Sequence, residues 1–148
     1  MIRPADNHDA RFLRDMLRHA YHWRMSEGAE RPVYRYVHNW GRPGDAGVIA
    51  FEGPHAYGAA WFRLFTAAEP GFGFVDEHTP ELTIAVVPSR RGKGAGAELL
   101  RALLDRARAD GYPAISLSAA KGQTGFYERF GFEQVSESPD TVTMRAVL

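Results

Sequence analysis

Cysteine is absent from this 148-residue chain, and neither sign of charge is in excess. Without cysteine there can be no disulfides, no thiolate metal sites and no covalent intermediate carried by a cysteine. Lysine and arginine together number 18, and aspartate and glutamate together also number 18. A nucleic-acid-binding domain normally carries a clustered basic surplus, so we expect no nucleic-acid partner.

Long apolar runs and internal repeats are also missing. No stretch approaches the roughly 18 consecutive apolar residues that a membrane span needs, so no membrane partner is expected. The N-terminal residues lead into a charged segment without an apolar core, which predicts no signal peptide and a cytoplasmic location. The six histidines show no His-x-x-x-His spacing, so no metal site is expected. The length and globular composition predict a single domain over residues 1–148.

Hydrophobic periodicity predicts helices and strands that build a mixed sheet. Helices are expected at 6–20, near Pro32, at 94–110 and at 124–130, and strands at 47–51, 56–65, 82–87, 115–120, 132–136 and 142–147. The connection from 82–87 through the helix to 115–120 is long enough for a parallel crossover. The connection 66–80 is long for so small a domain and is typical of a functional loop. The fold class is therefore α/β, or α+β, with helices on the faces of a mixed sheet.

A basic, glycine-rich turn separates the central strand from its helix. Its residues are Arg90-Arg91-Gly92-Lys93-Gly94-Ala95-Gly96. Glycines let backbone N–H groups approach phosphate oxygens, and a helix N-terminus supplies unpaired donors and a positive partial charge. The turn predicts a diphosphate-binding site; the alternative is a solvated turn whose basic side chains face water.

Three phosphate-binding patterns compete for this turn. A Walker A loop is excluded because Gly94, rather than Ser or Thr, follows Lys93. Residues 92–97 satisfy the loose dinucleotide pattern G-x-G-x-x-A, but the next strand lacks the acidic residue that would hold a ribose, which weakens a nucleotide-binding module. The third pattern, Arg/Gln-x-x-Gly-x-Gly/Ala, is matched by Arg91, Gly94 and Gly96.

Through this motif the chain resembles the GNAT superfamily of acyl-CoA-dependent N-acyltransferases. A second family segment, Tyr-x-x-x-Gly-Phe, is matched at 127–132, and the order of elements is similar over nearly the whole chain. The resemblance implies a central mixed sheet of six to seven strands flanked by about four helices. It also implies acetyl-CoA as donor and a primary amine, on a small molecule or a peptide, as acceptor. A homodimer remains open, and so does a non-catalytic acyl-CoA-binding or sensor domain on the same fold.

The resemblance also implies which residues hold the coenzyme, namely backbone donors of the central strand and of the turn. They are Ala85, Val86, Val87, Arg91, Gly92, Lys93, Gly94, Ala95, Gly96 and Ala97. Family members often carry Asn and Ala where this chain has Ala120 and Gln123. The coenzyme contact of that Asn must therefore be absent, or be replaced by Lys121 or Gln123.

Tyr127 and Glu81 are the candidate catalytic residues. The implied reaction is direct attack of an amine on a thioester, which needs a proton donor for the leaving thiolate and an acceptor for the ammonium proton. A phenol with a pKa of about 10 suits Tyr127 to the donor role, against the alternative of a packing aromatic. Glu81 opens the central strand and is expected to face the cleft as the base, on equal terms with a solvated strand-end charge. Reserve bases are Asp76, Glu77 and His78, whereas His22 and His38 are expected to pack.

Aromatic residues are concentrated in the first half of the chain and in the long loop. They are Tyr21, Trp23, Tyr34, Tyr36, Trp40, Phe72 and Phe74. They are candidates for an acceptor pocket, although most are expected to cover the sheet as core because pockets and cores use the same residue types.

Overall fold

One mixed sheet organises the chain. The computed structural model describes the backbone of residues 1–25 and 33–148 and the side chains of residues 1–21 and 33–148. The strands are β1 (Ile2–Pro4), β2 (Ala46–Glu52), β3 (His55–Arg63), β4 (Glu81–Val86), β5 (Ala114–Ala120), β6 (Glu133–Glu137) and β7 (Thr141–Val147), and the helices are α1 (Ala10–Met25), α2 (Ala95–Ala109) and α3 (Thr124–Glu128). The strand order is β1-β2-β3-β4-β5-β7-β6.

Strand direction confirms the predicted fold class. All neighbouring strands are antiparallel except β4 and β5, which are parallel and joined through α2 as the crossover spacing predicted. The hairpin of β2 and β3 and the C-terminal strands also lie within two residues of their predicted bounds. The mixed α/β sheet is thus the one that periodicity indicated.

The helices cover opposite faces of the sheet. Leu99, Leu100 and Leu103 of α2 pack on one face with apolar residues of β2 to β5 and β7. Leu13 and Leu17 of α1 pack on the other face with Ile49, Trp61 and Ala85 of the sheet. Helical spacing of apolar residues produces both contacts, because positions three and four apart share a helix face. Among the helices of the described residues, none is long and apolar enough to cross a membrane.

The first helical segment begins close to its predicted start at residue 6, but it ends later than predicted. The Asp6 carboxylate accepts the His8 N–H, and the Asp9 carboxylate accepts the Asp6 N–H, which completes a capping box on the 3₁₀ turn before α1. The helix extends to Met25 rather than ending at Ala20, and Tyr21 has non-helical dihedrals, with φ −131° and ψ 26°. The predicted helix near Pro32 begins outside the described residues.

Candidate active site

Strands β4 and β5 separate soon after they meet. Their pairing consists of Glu81 opposite Ser116, where the Ser116 N–H donates to the Pro80 carbonyl at 2.9 Å. Beyond that pair lies a narrow cleft, lined by Thr83 and Ile84 of β4, Leu117 and Ser118 of β5, Tyr21 of α1 and Tyr127 of α3. In the described part of the chain, the backbone groups of β4 that face this cleft have no strand paired with them.

The backbone groups of β4 point alternately toward β3 and toward the cleft, and this alternation determines which amides face the cleft. The Pro80 carbonyl points toward β5, whereas the Val87 N–H donates to the Tyr57 carbonyl on the β3 side at 2.9 Å. Because successive residues of a strand point their backbone groups to opposite edges, the Val86 N–H points toward the cleft. Ala85, two residues before Val87, points its backbone groups to the β3 side like Val87. Of the three amides expected to be free, that of Val86 points toward the cleft, whereas that of Val87 donates to Tyr57. Coenzyme binding by Ala85, Val86 and Val87 stays a prediction.

The glycine-rich turn leads from β4 to the N-terminus of α2. Gly92 and Gly94 have φ values of 78° and 85°, in the left-handed region that favours glycine. A Cβ at either position would meet no atom within 4 Å, so the backbone is open to a ligand. The N-cap of α2 is Gly94, which offers no side-chain cap to the first-turn N–H groups.

The basic side chains of the turn have different partners. The Arg91 guanidinium donates from Nε to the Val86 carbonyl at 3.0 Å, which holds it between the turn and the cleft. Arg90 pairs with Glu52 at 3.2 Å and lies over the Tyr57 ring. Lys93 is exposed. The local positive potential therefore combines the helix N-terminus, Arg91 and Lys93.

Tyr127 lies against the cleft in a largely apolar setting. Its ring packs on Phe126 and Phe132, with centroids 5.2 Å and 6.0 Å away. Burial raises the pKa of its hydroxyl to about 12, because the anionic form loses solvation. The hydroxyl is thus protonated at neutral pH, as a proton donor must be.

Glu81 is buried beneath the long loop, with 1% of the residue exposed. Its Oε2 accepts a hydrogen bond from the Tyr36 hydroxyl, and its Oε1 accepts the Gly73 N–H at 3.0 Å. The Tyr36 hydroxyl also accepts the Phe72 N–H at 2.8 Å. A solvated strand-end charge, the alternative weighed for Glu81, does not describe this carboxylate. The long-range link to Tyr36 could not be found in the sequence, because 45 residues separate the two partners.

The reserve bases lie in the long loop and do not line the cleft. The Asp76 carboxylate accepts the His78 N–H at 2.8 Å, and the Glu77 carboxylate accepts the Ala67 N–H at 2.8 Å. All three loop residues are exposed. Lys121, a candidate substitute for the family Asn, pairs with Glu137 at 3.5 Å. Within the described residues, no group of three or more histidine or acidic side chains could hold a metal ion.

The predicted acceptor-pocket aromatics divide into separate groups. Tyr21, Tyr36 and Phe72 form one cluster beside the cleft, with ring centroids 5.1 to 6.1 Å apart. Tyr34 instead lines a separate cavity of about 350 Å³ with Arg35, His38, Arg42, Phe65 and Glu69, which the sequence did not predict. Trp40 lies beside the Arg63 guanidinium, and Phe74 packs on the α1 face of the core. The side chains of His22 and Trp23 lie outside the described residues.

Replacing Gly73 with alanine is expected to destabilise the long loop. A Cβ at Gly73 would lie 2.5 Å from the Leu117 carbonyl carbon and 2.8 Å from the Ser118 nitrogen, so the backbone must shift. Overpacking of this kind costs about 1–3 kcal/mol, measurable as a drop in the free energy of unfolding. Gly125→Ala is the control, since its Cβ would meet nothing within 4 Å. A Gly73→Ala variant as stable as the parent chain would contradict the close approach.

Comparison with known proteins agrees with this geometry. The sequence profile of the acetyltransferase (GNAT) family matches residues 11–132, and the chain therefore belongs to that family. L-methionine sulfoximine/L-methionine sulfone acetyltransferases from Pseudomonas aeruginosa and Pseudomonas paraeruginosa are each 38% identical over 64 residues, which is 41% of this chain. The match spans 37% of the length of these relatives.

Solved structures resemble the whole chain. Ribosomal-protein-alanine N-acetyltransferase from Brucella melitensis is 21% identical with a TM-score of 0.69, covering 100% of this chain and 99% of its own. PaiA N-acetyltransferase from Thermoplasma acidophilum, in complex with coenzyme A, is 15% identical with a TM-score of 0.70 and the same coverage. At these identities the similarity establishes the fold.

Proposed function

We propose that this protein transfers an acetyl group from acetyl-CoA to a primary amine by direct attack. The observation that carries the proposal is the cleft between β4 and β5, together with the uncapped N-terminus of α2, the helix that follows β4 in the chain. Membership of the acetyltransferase (GNAT) family supports it. So does the coenzyme A named for the Thermoplasma structure.

The residues at this site suit the coenzyme. The open backbone at Gly92 and Gly94 and the N-terminal amides of α2 would receive the diphosphate, with Arg91 and Lys93 supplying charge. The Oγ1 of Thr83 is buried at the cleft, close to the Tyr21 hydroxyl, where it could form a further hydrogen bond to a ligand.

Three groups of the chain would serve the reaction. Bound acetyl-CoA supplies a thioester whose carbonyl carbon is the electrophile. The Val86 N–H, which faces the cleft, would donate to the carbonyl oxygen as that oxygen gains charge. Tyr127 would give its hydroxyl proton to the leaving sulfur, and Glu81 would be the final acceptor of the ammonium proton.

The test is coenzyme A release from acetyl-CoA across a panel of amines. By their names the Pseudomonas relatives act on L-methionine sulfoximine and L-methionine sulfone, so the panel begins with these and other α-amino acids and continues with alkylamines and peptides. Turnover with any of these amines supports the proposal. Tight binding of acetyl-CoA without turnover on the whole panel would instead identify a non-catalytic acyl-CoA sensor.

A Gly96→Glu substitution is expected to weaken coenzyme A binding at least a hundredfold. Gly96 lies in the first turn of α2, and a Cβ there would meet only the Phe126 ring, at 3.6 Å. A carboxylate at a helix N-terminus stabilises the helix by about 0.3–1 kcal/mol. It would, however, repel a diphosphate by about 4 kcal/mol per pair of unit charges 4 Å apart.

Calorimetry gives the Kd, and Gly96→Gln is the matched uncharged control. The glutamine variant is expected to bind within tenfold of the parent chain, since it adds similar bulk without the charge. Equal Kd values for the glutamate variant and the parent chain would place the diphosphate elsewhere.

A further inference from the structure

Two tyrosines lie between the cleft and the Glu81 carboxylate. The Tyr36 hydroxyl donates to Glu81 Oε2, and each of these two residues is 1% exposed. No part of that carboxylate is among the groups that line the cleft. An amine in the cleft therefore meets other groups before it can reach Glu81.

Tyr21 is the group that bridges this separation. Its ring centroid is 5.1 Å from that of Tyr36, and its side chain lines the cleft together with Thr83 and Tyr127. It is also the residue at which α1 departs from helical dihedrals. The order from the cleft inward is thus Tyr21, Tyr36 and Glu81.

Both phenols keep their protons over the range in which an enzyme works. Burial raises the pKa of Tyr21 and of Tyr36, and the nearby negative charge of Glu81 raises both further. The hydroxyls of Thr83 and Tyr36 lie near enough to the Tyr21 hydroxyl to offset part of its rise in pKa. Hydroxyls that stay neutral can accept one proton while they release another.

We infer that Tyr21 and Tyr36 form a proton relay from the acceptor amine in the cleft to the Glu81 carboxylate. The inference rests on the proposed function. One N–H bond of the ammonium breaks, and its proton moves to the Tyr21 oxygen as Tyr21 releases its own proton to Tyr36. Tyr36 releases its proton to Glu81 Oε2, and the electron pair left on nitrogen attacks the thioester carbon. The C–S bond breaks as Tyr127 protonates the sulfur, and a second N–H proton of the attacking nitrogen restores the Tyr127 hydroxyl. After the product leaves, the proton returns along the same path to water in the cleft.

The other polar groups near Glu81 already have hydrogen-bond partners or another role in the proposed reaction. Arg63 is the cross-strand neighbour of Glu81 on β3, but its guanidinium forms a bidentate ion pair with Asp45, at 3.0 Å and 2.7 Å. Tyr127, across the cleft, is the proton donor of the proposed mechanism. Ser116 of β5 donates its hydroxyl to the Gly73 carbonyl at 2.8 Å, beside the Gly73 N–H that Glu81 accepts.

The pH dependence of kcat/KM in Tyr21→Phe, Tyr36→Phe and Glu81→Gln tests the relay. At pH 7, with an alkylamine acceptor, the kcat/KM of each variant is expected to be at least tenfold lower than that of the parent chain. A loss of this size is close to the usual contribution of general base catalysis. An alkylammonium has a pKa near 10. The ratio of parent to variant rate is therefore expected to fall toward one as the pH approaches 10, where the amine loses its proton without help.

A merely structural role would give a different result. It would lower the rate by the same factor at every pH, and that flat ratio would overturn the relay. Tyr112→Phe is the control, because Tyr112 is half-buried, packs on Phe62 in the core beneath α2 and is not among the residues that line the cleft. The kcat/KM of this variant is expected to match that of the parent chain at all pH values.

Two further points keep the test decisive. If Tyr36→Phe does not fold, as judged by circular dichroism, Tyr21→Phe alone decides, because it leaves the hydrogen bond from Tyr36 to Glu81 in place. A parent chain that turns over no amine would refute the proposed function. A parent chain that turns over amines while Tyr21→Phe shows the parent's pH profile would refute only the relay.

Discussion

Substituting phenylalanine for Tyr127 is expected to lower kcat at least tenfold while the Kd for coenzyme A stays within twofold of the parent value. The substitution removes one oxygen and keeps the ring that packs on Phe126 and Phe132. General acid catalysis contributes about 10²–10⁴-fold, so the loss extends toward that range if proton donation limits turnover. Steady-state release of coenzyme A and calorimetry measure the two quantities separately.

The raised pKa of Tyr127 bears on how well this donor works. A hydroxyl with a pKa of about 12 is a weaker acid than a free phenol. The cause is burial. The same apolar setting also raises the pKa of a thiol that leaves in the cleft, so the pKa values of donor and acceptor stay close to each other. Because donation is lost only as the pH rises through about 12, the parent rate is expected to show no decline from this group up to pH 10.

High pH separates Tyr127 from the relay residues. The parent chain keeps its Tyr127 proton at pH 10, because the pKa of this hydroxyl is about 12, so the defect of Tyr127→Phe is expected to persist there. The defects of Tyr21→Phe and Tyr36→Phe are expected to shrink there. A Tyr127→Phe variant with the parent's kcat at pH 7 would show that this tyrosine only packs.

Local chemistry allowed the glycine-rich turn to be predicted from the sequence. Gly92 and Gly94 have positive φ values, and Gly94 caps α2, because residues without a Cβ adopt these conformations at low cost. The apolar spacing of α2 likewise predicted its bounds to within one residue. Such features depend on neighbours a few positions away, which a sequence displays directly.

The features that could not be predicted depend on register and on distant partners. Whether Val86 or Val87 directs its N–H to the cleft depends on the pairing of β4 with β3, and a shift of one residue reverses it. Glu81 obtains its partners from Tyr36 and Gly73, which approach only after the loop has folded over the sheet. Asp45 accepts hydrogen bonds within its own turn, yet it also binds a buried arginine of β3, 18 residues away in the sequence.

That arginine leads to the largest expected change in stability. The Asp45 carboxylate binds Nε and Nη2 of Arg63 at 3.0 Å and 2.7 Å, and both side chains are no more than 2% exposed. Arg63 Nη1 donates to the carbonyls of Arg35 and His38. The pair therefore joins β3 to the turns at 33–45, and either charge alone would be buried without its partner.

Replacing Asp45 with alanine is expected to reduce the free energy of unfolding by about 3–5 kcal/mol, because the Arg63 guanidinium would then be buried without its partner. Asp45 also accepts the N–H groups of Gly41 and Arg42, so the turn loses two hydrogen bonds as well. Denaturant unfolding measures the loss. Asp105→Ala is the control, because its pair with Arg108 is solvent-exposed and such pairs contribute about 0–1 kcal/mol.

The double variant Asp45→Ala/Arg63→Met separates the cost of an unpaired buried charge from the contribution of the ion pair to stability. Methionine removes the charge that Asp45→Ala leaves behind, and replacing both ions of a buried pair by apolar groups is often neutral or stabilising. The double variant is thus expected to be more stable than Asp45→Ala alone, despite carrying two substitutions. If the two losses instead add, the stability at this site comes from the turn hydrogen bonds and not from pairing the guanidinium.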